Sequence, residues 1–246
     1  MRDDMSNVAT DLVQLTVSDC AAVLIGSAAR GCRTEYSDID ILLICTHKIA
    51  PLPVIPGYHI KFGTEADFMR RLEAGEDFEA WCVRLGVTLV DRGVWARVKA
   101  ASGEVWPRWE WKVVHGIRRL FLASQLSEGG DLLAANEELV FALGHIARAL
   151  LLRAGTFPLS RPELADQVRA LGYAHLADLH ERLRVGDTPS HRDVSLGLLY
   201  SKKLLVHLDR STYGKIARDD ANVARAKELL RLQRNRSPNG NRRETK

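Results

Sequence analysis

Two aspartates separated by one residue stand at the start of an apolar run. Asp38 and Asp40 lead into the segment from Ile41 to Ile44, and side chains two positions apart in a strand project from the same face. Two carboxylates on one face can bind one cation. Mg²⁺ suits such a pair, because it takes one or two carboxylates and completes its shell with phosphate oxygens and water. The spacing therefore predicts a magnesium site at Asp38 and Asp40.

A second polar feature ends the preceding apolar run, Ala21 to Ile25. Gly26 and Ser27 follow this run directly, and a helix is expected to begin there. Backbone N–H groups and the Ser27 hydroxyl at such a turn are donors for a phosphate group, and glycine lets that phosphate come close. We expect Gly26 and Ser27 to bind phosphate.

Each feature by itself is common. An isolated Asp-x-Asp is often the solvated face of a strand, and an isolated Gly-Ser is a turn. The combination is more specific, because an apolar strand leads into Gly-Ser and a polar loop then leads to acids with apolar neighbours. This arrangement favours a functional site.

The elements that position these residues alternate in the first hundred residues. Apolar runs and alternation predict one helix and four strands, over Asn7–Leu15, Ala21–Ile25, Ile39–Cys45, Tyr58–Phe62 and Val87–Val90. In the third of these strands His59 and Lys61 share one face. Thr64 followed by Asp67 is typical of a helix start, and Gly75 of its end.

From about Val94 onward helical periodicity replaces the strand pattern. The clearest stripe consists of Leu139, Leu143, Ile146 and Leu150. Ser160 with Glu163 forms a capping box, and further helices are predicted over Ala174–Leu183, Val194–Leu208 and Ala221–Leu232. The fold class is therefore α+β, with a small mixed β-sheet domain over 1–100, an all-α helical bundle over 101–232 and a basic tail over 233–246 that we expect to be disordered.

The string GSAARGCRTEYSDIDILLI resembles the signature of the DNA polymerase β-like nucleotidyltransferase superfamily, and most closely its bacterial minimal and antibiotic-modifying branches. The resemblance covers about the first hundred residues. It implies an enzyme that moves a nucleoside monophosphate from an NTP, with ATP as the first candidate, to a hydroxyl acceptor. Pyrophosphate leaves, and a divalent metal, Mg²⁺, is required.

The resemblance also implies roles for single residues. Asp38 and Asp40 would bind the metal, and Gly26 and Ser27 the terminal phosphates of the NTP. Arg30 either adds a charged contact to those phosphates or is a solvated loop arginine.

The chain departs from the superfamily at the third strand, where active members often have a third carboxylate. His59 stands at that position. Its imidazole is a candidate general base or metal ligand, and the alternative is a polar strand residue without a catalytic role. Other acids remain candidates for the missing carboxylate: Glu65, Asp67, Glu137 and Glu138.

Three functions follow from these residues. The first is a nucleotidyltransferase whose acceptor is a small molecule such as an aminoglycoside, a protein hydroxyl or an RNA end. The second is a catalytically weak nucleotide-binding or antitoxin-like partner protein, which the absent third carboxylate favours. The third is a nucleic-acid-binding protein. Each of these proteins could also form a homodimer.

The amino-acid composition excludes several classes of protein. The chain has 246 residues, of which 46% are hydrophobic and 27% charged, which excludes a mainly disordered or fibrous protein. Four separated cysteines without a CxxC pair argue against a zinc site or a disulfide framework, and so favour a reducing cytoplasm. No apolar run predicts a signal peptide or a membrane span.

Basic charge is concentrated at the end of the chain. Residues 231–246 contain six basic residues and one acidic residue, whereas the rest of the chain contains 29 basic and 30 acidic residues. Any weak contact with nucleic acid is therefore expected in the tail, and its affinity should fall with salt.

Overall fold

The computed structural model describes most of the chain, namely residues 10, 19–33, 37–47, 54–103, 105–185 and 189–219. The helices predicted over Asn7–Leu15 and Ala221–Leu232 lie outside the described residues, except for Thr10, which is helical. The basic tail also lies outside them.

A four-stranded mixed sheet is built from β1 (Cys20–Ile25), β2 (Ile39–Cys45), β3 (Tyr58–Thr64) and β4 (Val87–Asp91). The strand order is β3-β2-β1-β4. β1 pairs antiparallel with both β2 and β4, whereas β2 and β3 are parallel. Each predicted strand is confirmed to within two residues, because each apolar run ends at a glycine or a polar residue.

Helices make up the remaining regular structure and confirm the α+β class. They are α1 (Gly26–Ala29), α2 (Glu65–Glu73), α3 (Asp77–Leu85), α4 (Val94–Ser102), α5 (Trp109–Glu128), α6 (Leu132–Arg153), α7 (Leu164–Ala170), α8 (Ala174–Val185) and α9 (His191–Leu208), and Arg161–Glu163 form a 3₁₀ turn. Residues 210–219 are helical as well.

Two predicted caps are confirmed. The Thr64 hydroxyl accepts a hydrogen bond from the Asp67 backbone N–H at 3.2 Å, which fixes the start of α2. The capping box of Ser160 and Glu163 is also formed, and it begins the 3₁₀ turn.

The two central strands are buried on both faces. One face carries Val23, Leu42 and Ile44, which pack with Phe68, Trp95 and other residues of α2, α3 and α4. The opposite face carries Leu24, Ile41 and Leu43, and Tyr58 and Ile60 of β3 pack against it. This burial on both sides explains why β1 and β2 are nearly continuous apolar runs.

The expectation that the four cysteines stay unpaired is wrong. Cys20 and Cys45 form a disulfide bond, because the antiparallel register of β1 and β2 places them directly opposite each other. Cys32 and Cys82 are free thiols. The expected reducing cytoplasm rested on the absence of a disulfide framework, so it loses this support.

The chain divides into two compact units, Met1–Trp111 with Ala147–Glu181 and Lys112–Ile146 with Arg182–Lys246. Residues 147–181, which the sequence analysis placed in the helical domain, thus group with the sheet. Two contacts show why. Arg148 lies 3.9 Å from Asp77, and Glu163 pairs with Arg30 at 2.8 Å.

The second unit has a helical core of its own. Leu139, Leu143 and Ile146 of the predicted stripe are completely buried. Gly197 of α9 packs so closely on Leu139 that an added Cβ would lie 2.6 Å from its side chain. In the part of the chain that the structure describes, no helix has both the length and the apolar character needed to cross a membrane.

Candidate functional site

The two aspartates lie where β2 begins. Asp38 precedes the strand and is exposed, whereas Asp40 is its second residue and its side chain is 32% exposed. The Asp38 carboxylate makes no hydrogen bond or ion pair with any described residue. This part of the sheet, defined by Gly26, Ser27, Asp38, Asp40 and His59, is called the aspartate end below.

Gly26 brings the end of β1 against Asp40. The antiparallel register pairs Ile25 with Asp40, so the next residue, Gly26, lies beside the carboxylate. Gly26 has a φ of +69°, and a Cβ added there would lie 2.6 Å from Asp40 Oδ2. Both the conformation and the close approach require glycine at this position.

Ser27 belongs to the same turn. It lies in the short helix α1, and its carbonyl accepts backbone hydrogen bonds from Arg30 at 3.2 Å and from Cys32 at 3.0 Å. Its hydroxyl has no hydrogen bond to any described residue. The turn is thus fixed through the Ser27 carbonyl.

His59 lies on the other side of Asp40. In the parallel register of β2 and β3 it is the direct neighbour of Asp40, and its Nδ1 is 2.9 Å from Asp40 Oδ1. With an ionised carboxylate the ring donates Nδ1–H, which leaves the lone pair on Nε2. His59, which the resemblance aligns with a third carboxylate, is therefore an imidazole oriented by Asp40.

Arg30 has a partner that the sequence analysis did not identify. Its Nη2 lies 2.8 Å from Glu163 Oε1 and its Nε 3.3 Å from Oε2, a two-point ion pair. The Arg30 guanidinium, together with hydrogen bonds from Ser160, lowers the pKa of Glu163 to about 2. No motif marked this pair, because its members are 133 residues apart.

A free thiol joins the same cluster. Cys32 Sγ lies 3.0 Å from the Ser160 hydroxyl oxygen, and Ser160 donates its hydroxyl hydrogen bond to Glu163. The cluster of Arg30, Cys32, Ser160 and Glu163 therefore attaches the loop after the Gly26-Ser27 turn to the 3₁₀ turn.

The other acids considered for the third carboxylate lie elsewhere. Glu65 and Asp67 follow the far end of β3, and at about 3.3 Å per strand residue Glu65 is roughly 20 Å from His59. Glu65 pairs with Arg97 at 2.7 Å. In the second unit, Glu138 pairs with Arg119 at 2.8 Å and Glu137 is exposed.

The residues at the aspartate end can supply part of the coordination shell of the magnesium ion that the resemblance implies. Among the described residues no group of three or more His, Cys, Asp or Glu side chains forms a metal site, so the protein does not offer a complete shell. Asp38 and the Oδ2 atom of Asp40 offer carboxylate oxygens beside a turn that a Cβ would fill. These donors suit Mg²⁺ that arrives with NTP phosphates, since those phosphates and water complete its shell.

Comparisons with known proteins give little support beyond this geometry. No protein family profile matches the sequence, and no curated protein matches it. Among solved structures, a nucleotidyltransferase-like protein from Exiguobacterium sibiricum matches with 18% sequence identity and a TM-score of 0.44, over 87% of this chain and 80% of that chain. We therefore take the function from the residues of this chain.

Proposed function

We propose that the protein is a nucleotidyltransferase that moves a nucleoside monophosphate from an NTP to a hydroxyl acceptor. The observation that carries the proposal is the placement of Asp40 between the Gly26 turn on one side and His59 on the other. ATP is the first candidate for the NTP. The superfamily resemblance of the first hundred residues adds support.

The strand order supports a division of the proposed site into two sides. Displacement at the α-phosphorus requires the attacking and leaving oxygens to lie roughly in line. β1 and β3 flank β2 on opposite sides, so we place the leaving pyrophosphate over the Gly26-Ser27 turn. The acceptor hydroxyl then lies on the side of β3.

His59 is the base in this proposal. The acceptor hydroxyl gives its proton to His59 Nε2, its oxygen forms a bond to the α-phosphorus, and the bond to the pyrophosphate oxygen breaks. Asp40 Oδ1 holds the Nδ1–H side of the ring and so stabilises the imidazolium that forms. Mg²⁺ bound by Asp38 and Asp40 would neutralise charge on the phosphates.

A weak nucleotide-binding or antitoxin-like protein is the second candidate. It is favoured by the histidine at the third position and by the absence of a three-ligand metal group among the described residues. Such a protein would bind Mg²⁺-NTP and transfer nothing.

A transfer assay separates the two candidates. The purified protein is incubated with Mg²⁺, each α-labelled NTP and a panel of acceptors, and labelled product and pyrophosphate are measured. Asp38→Asn and Asp40→Asn should each lower transfer at least about 100-fold, with unchanged circular dichroism. Binding of Mg²⁺-NTP without transfer by the wild type would favour the second candidate.

Asp91→Asn is the matched control. Asp91 lies at the far end of β4, where its carboxylate accepts backbone hydrogen bonds from Trp95 and Ala96 at 2.9 Å. Asparagine has one acceptor oxygen instead of two, so this variant should lose one of these hydrogen bonds and some stability but should retain transfer. An equal loss in all three aspartate variants would contradict the assignment of Asp38 and Asp40.

A further inference from the structure

Basic side chains continue along β3 beyond His59. Lys61 lies two residues further on, on the same face of the strand, and its Nζ is 4.4 Å from the centroid of the Phe78 ring. This cation–π contact holds the ammonium group in place. No carboxylate of the described residues forms an ion pair with it, so its charge is not balanced by a direct partner.

A second cation faces the same helix, α3. Arg148 of α6 has only 25% of its side chain exposed, and its Nε lies 3.9 Å from Asp77 Oδ2, next to Phe78. Burial, and the charge of Arg161 in the 3₁₀ turn, lower the pKa of Arg148, whereas Asp77 raises it.

Ion pairs engage several of the carboxylates around these cations. Asp77 pairs with Arg148 at 3.9 Å, Glu79 lies 3.4 Å from Arg71, and Glu163 is paired with Arg30. Among the described residues, no carboxylate forms an ion pair with Lys61. We call Lys61 and Arg148 the basic group.

Lys61 lies near the aspartate end. It shares a strand face with His59, which contacts Asp40. Lys61 is on β3, the side where the proposed reaction places its acceptor, and Arg148 contacts the same helix, α3, next to Phe78.

We propose that the acceptor carries an anionic group, a phosphate or a carboxylate, which binds to Lys61 and Arg148 while its hydroxyl faces His59. This inference rests on the proposed function. An aminoglycoside, with several ammonium groups, would meet repulsion from Lys61 and Arg148, so the small-molecule acceptor named in the sequence analysis is replaced by an acidic one.

The test uses four sugars with one hexose scaffold: glucose, glucose 6-phosphate, glucuronate and glucosamine. Each is titrated by calorimetry into the full-length protein saturated with Mg²⁺ and a non-hydrolysable ATP analogue. Glucose 6-phosphate or glucuronate should bind at least about 10-fold more tightly than glucose, and glucosamine most weakly. The two anions distinguish a phosphate site from a carboxylate site.

Variants link the binding to the named residues. Lys61→Gln should remove the preference for anions, and Lys61→Arg should retain it. The matched control is Lys99→Gln in α4, since Lys99 also lies over an aromatic ring, 5.9 Å from the Trp95 centroid, but outside the basic group. The proposal is supported if Lys61→Gln loses the preference for anionic sugars and Lys99→Gln retains it.

Other outcomes overturn the inference. Equal binding of all four sugars, tighter binding of glucosamine, binding of none, or a preference that survives Lys61→Gln would each count against an anionic acceptor. The proposed function is judged separately, by the transfer assay and by the loss of transfer in Asp38→Asn and Asp40→Asn. Failure of the nucleotide step is therefore distinguishable from failure at the acceptor.

Discussion

The two ends of the same sheet differ in how their polar groups are satisfied. At the aspartate end, the Asp38 carboxylate and the Ser27 hydroxyl have no hydrogen bond to described residues, and Asp40 shares one oxygen with His59. The opposite end is called the cysteine end. There β1 begins, β2 and β4 end, and β3 passes into α2.

Polar and reactive groups at the cysteine end are bound within the protein. Cys20 and Cys45 are bonded to each other, Asp91 accepts two backbone N–H groups of α4, and Thr64 caps α2. These contacts stabilise the fold, whereas the groups at the aspartate end remain available to a ligand. The cysteine end therefore contributes to stability, and the proposed function places the chemistry at the aspartate end.

The largest expected effect is that of a single methyl group at the aspartate end. Gly26→Ala places a Cβ 2.6 Å from Asp40 Oδ2 at a φ of +69°. The carboxylate must then move, and we expect transfer to fall about 1000-fold, which corresponds to about 4 kcal/mol. The measurement is kcat/KM for the labelled NTP.

Gly31→Ala is the matched control for this variant. Gly31 has nearly the same φ, +71°, but nothing lies within 4 Å of an added Cβ. Both variants should lose about 1 kcal/mol of stability from backbone strain, and only Gly26→Ala should lose transfer. Similar transfer rates in the two variants would show that the contact with Asp40 is irrelevant to the chemistry.

The second prediction concerns the cysteine end. The disulfide closes a loop with a sequence separation of 25, so its reduction should lower the free energy of unfolding by about 3 kcal/mol. Denaturant titration with and without reductant measures this change. Transfer by the folded, reduced protein should be unchanged, because the bond lies at the opposite end of β2 from Asp40.

The Cys20→Ala/Cys45→Ala variant provides the control, since reductant should no longer affect its stability. Thiol titration of the unfolded wild type should find two free thiols, those of Cys32 and Cys82. Four free thiols would refute the pairing of Cys20 with Cys45. Loss of transfer on reduction would show that the cysteine end also affects the chemistry.

The third prediction tests His59. His59→Ala should lower kcat about 30-fold, because a positioned general base contributes about 100- to 10,000-fold and water can replace part of it. His59→Asp should restore part of the rate by supplying the carboxylate that the resemblance implies at this position. Wild-type rates in His59→Ala across neutral pH would leave His59 as a polar strand residue.

Local patterns sufficed to predict most of the fold. β2 was predicted with its observed bounds, Ile39–Cys45, because all of its residues except Asp40 are β-branched or apolar and polar residues flank it. Strand periodicity also put His59 on the face opposite Tyr58, and the parallel register then brings it beside Asp40.

Contacts between distant segments could not be predicted from the sequence. The disulfide depends on the register between β1 and β2, and the pairing of Arg30 with Glu163 depends on where a helical segment packs. Neither leaves a periodic signal. Helix α3, which presents Asp77 and Phe78 to the basic group, was not predicted either, because no capping pattern marks its start: Glu76 at its N-terminus makes no side-chain capping hydrogen bond.

The smallest expected effect belongs to the ion pair beside the Gly26-Ser27 turn. The pKa of Glu163 is lowered from 4.5 to about 2, mainly by the hydrogen bond from Arg30. A lowered pKa in the folded state means that the stabilisation is complete above about pH 4.5 and is lost as the pH falls toward 2. Because the pair is partly exposed, we expect it to contribute no more than about 2 kcal/mol.

The difference in unfolding free energy between wild type and Glu163→Gln isolates this contribution from other carboxylates. It should be largest near pH 6 and shrink toward zero near pH 2. Arg30→Gln should show the same difference, and the double variant should lose little more than either single one, because both remove one interaction. A difference that stays constant with pH would mean that Glu163 stabilises the turn through packing, and the ion pair would then contribute nothing to holding the aspartate end in place.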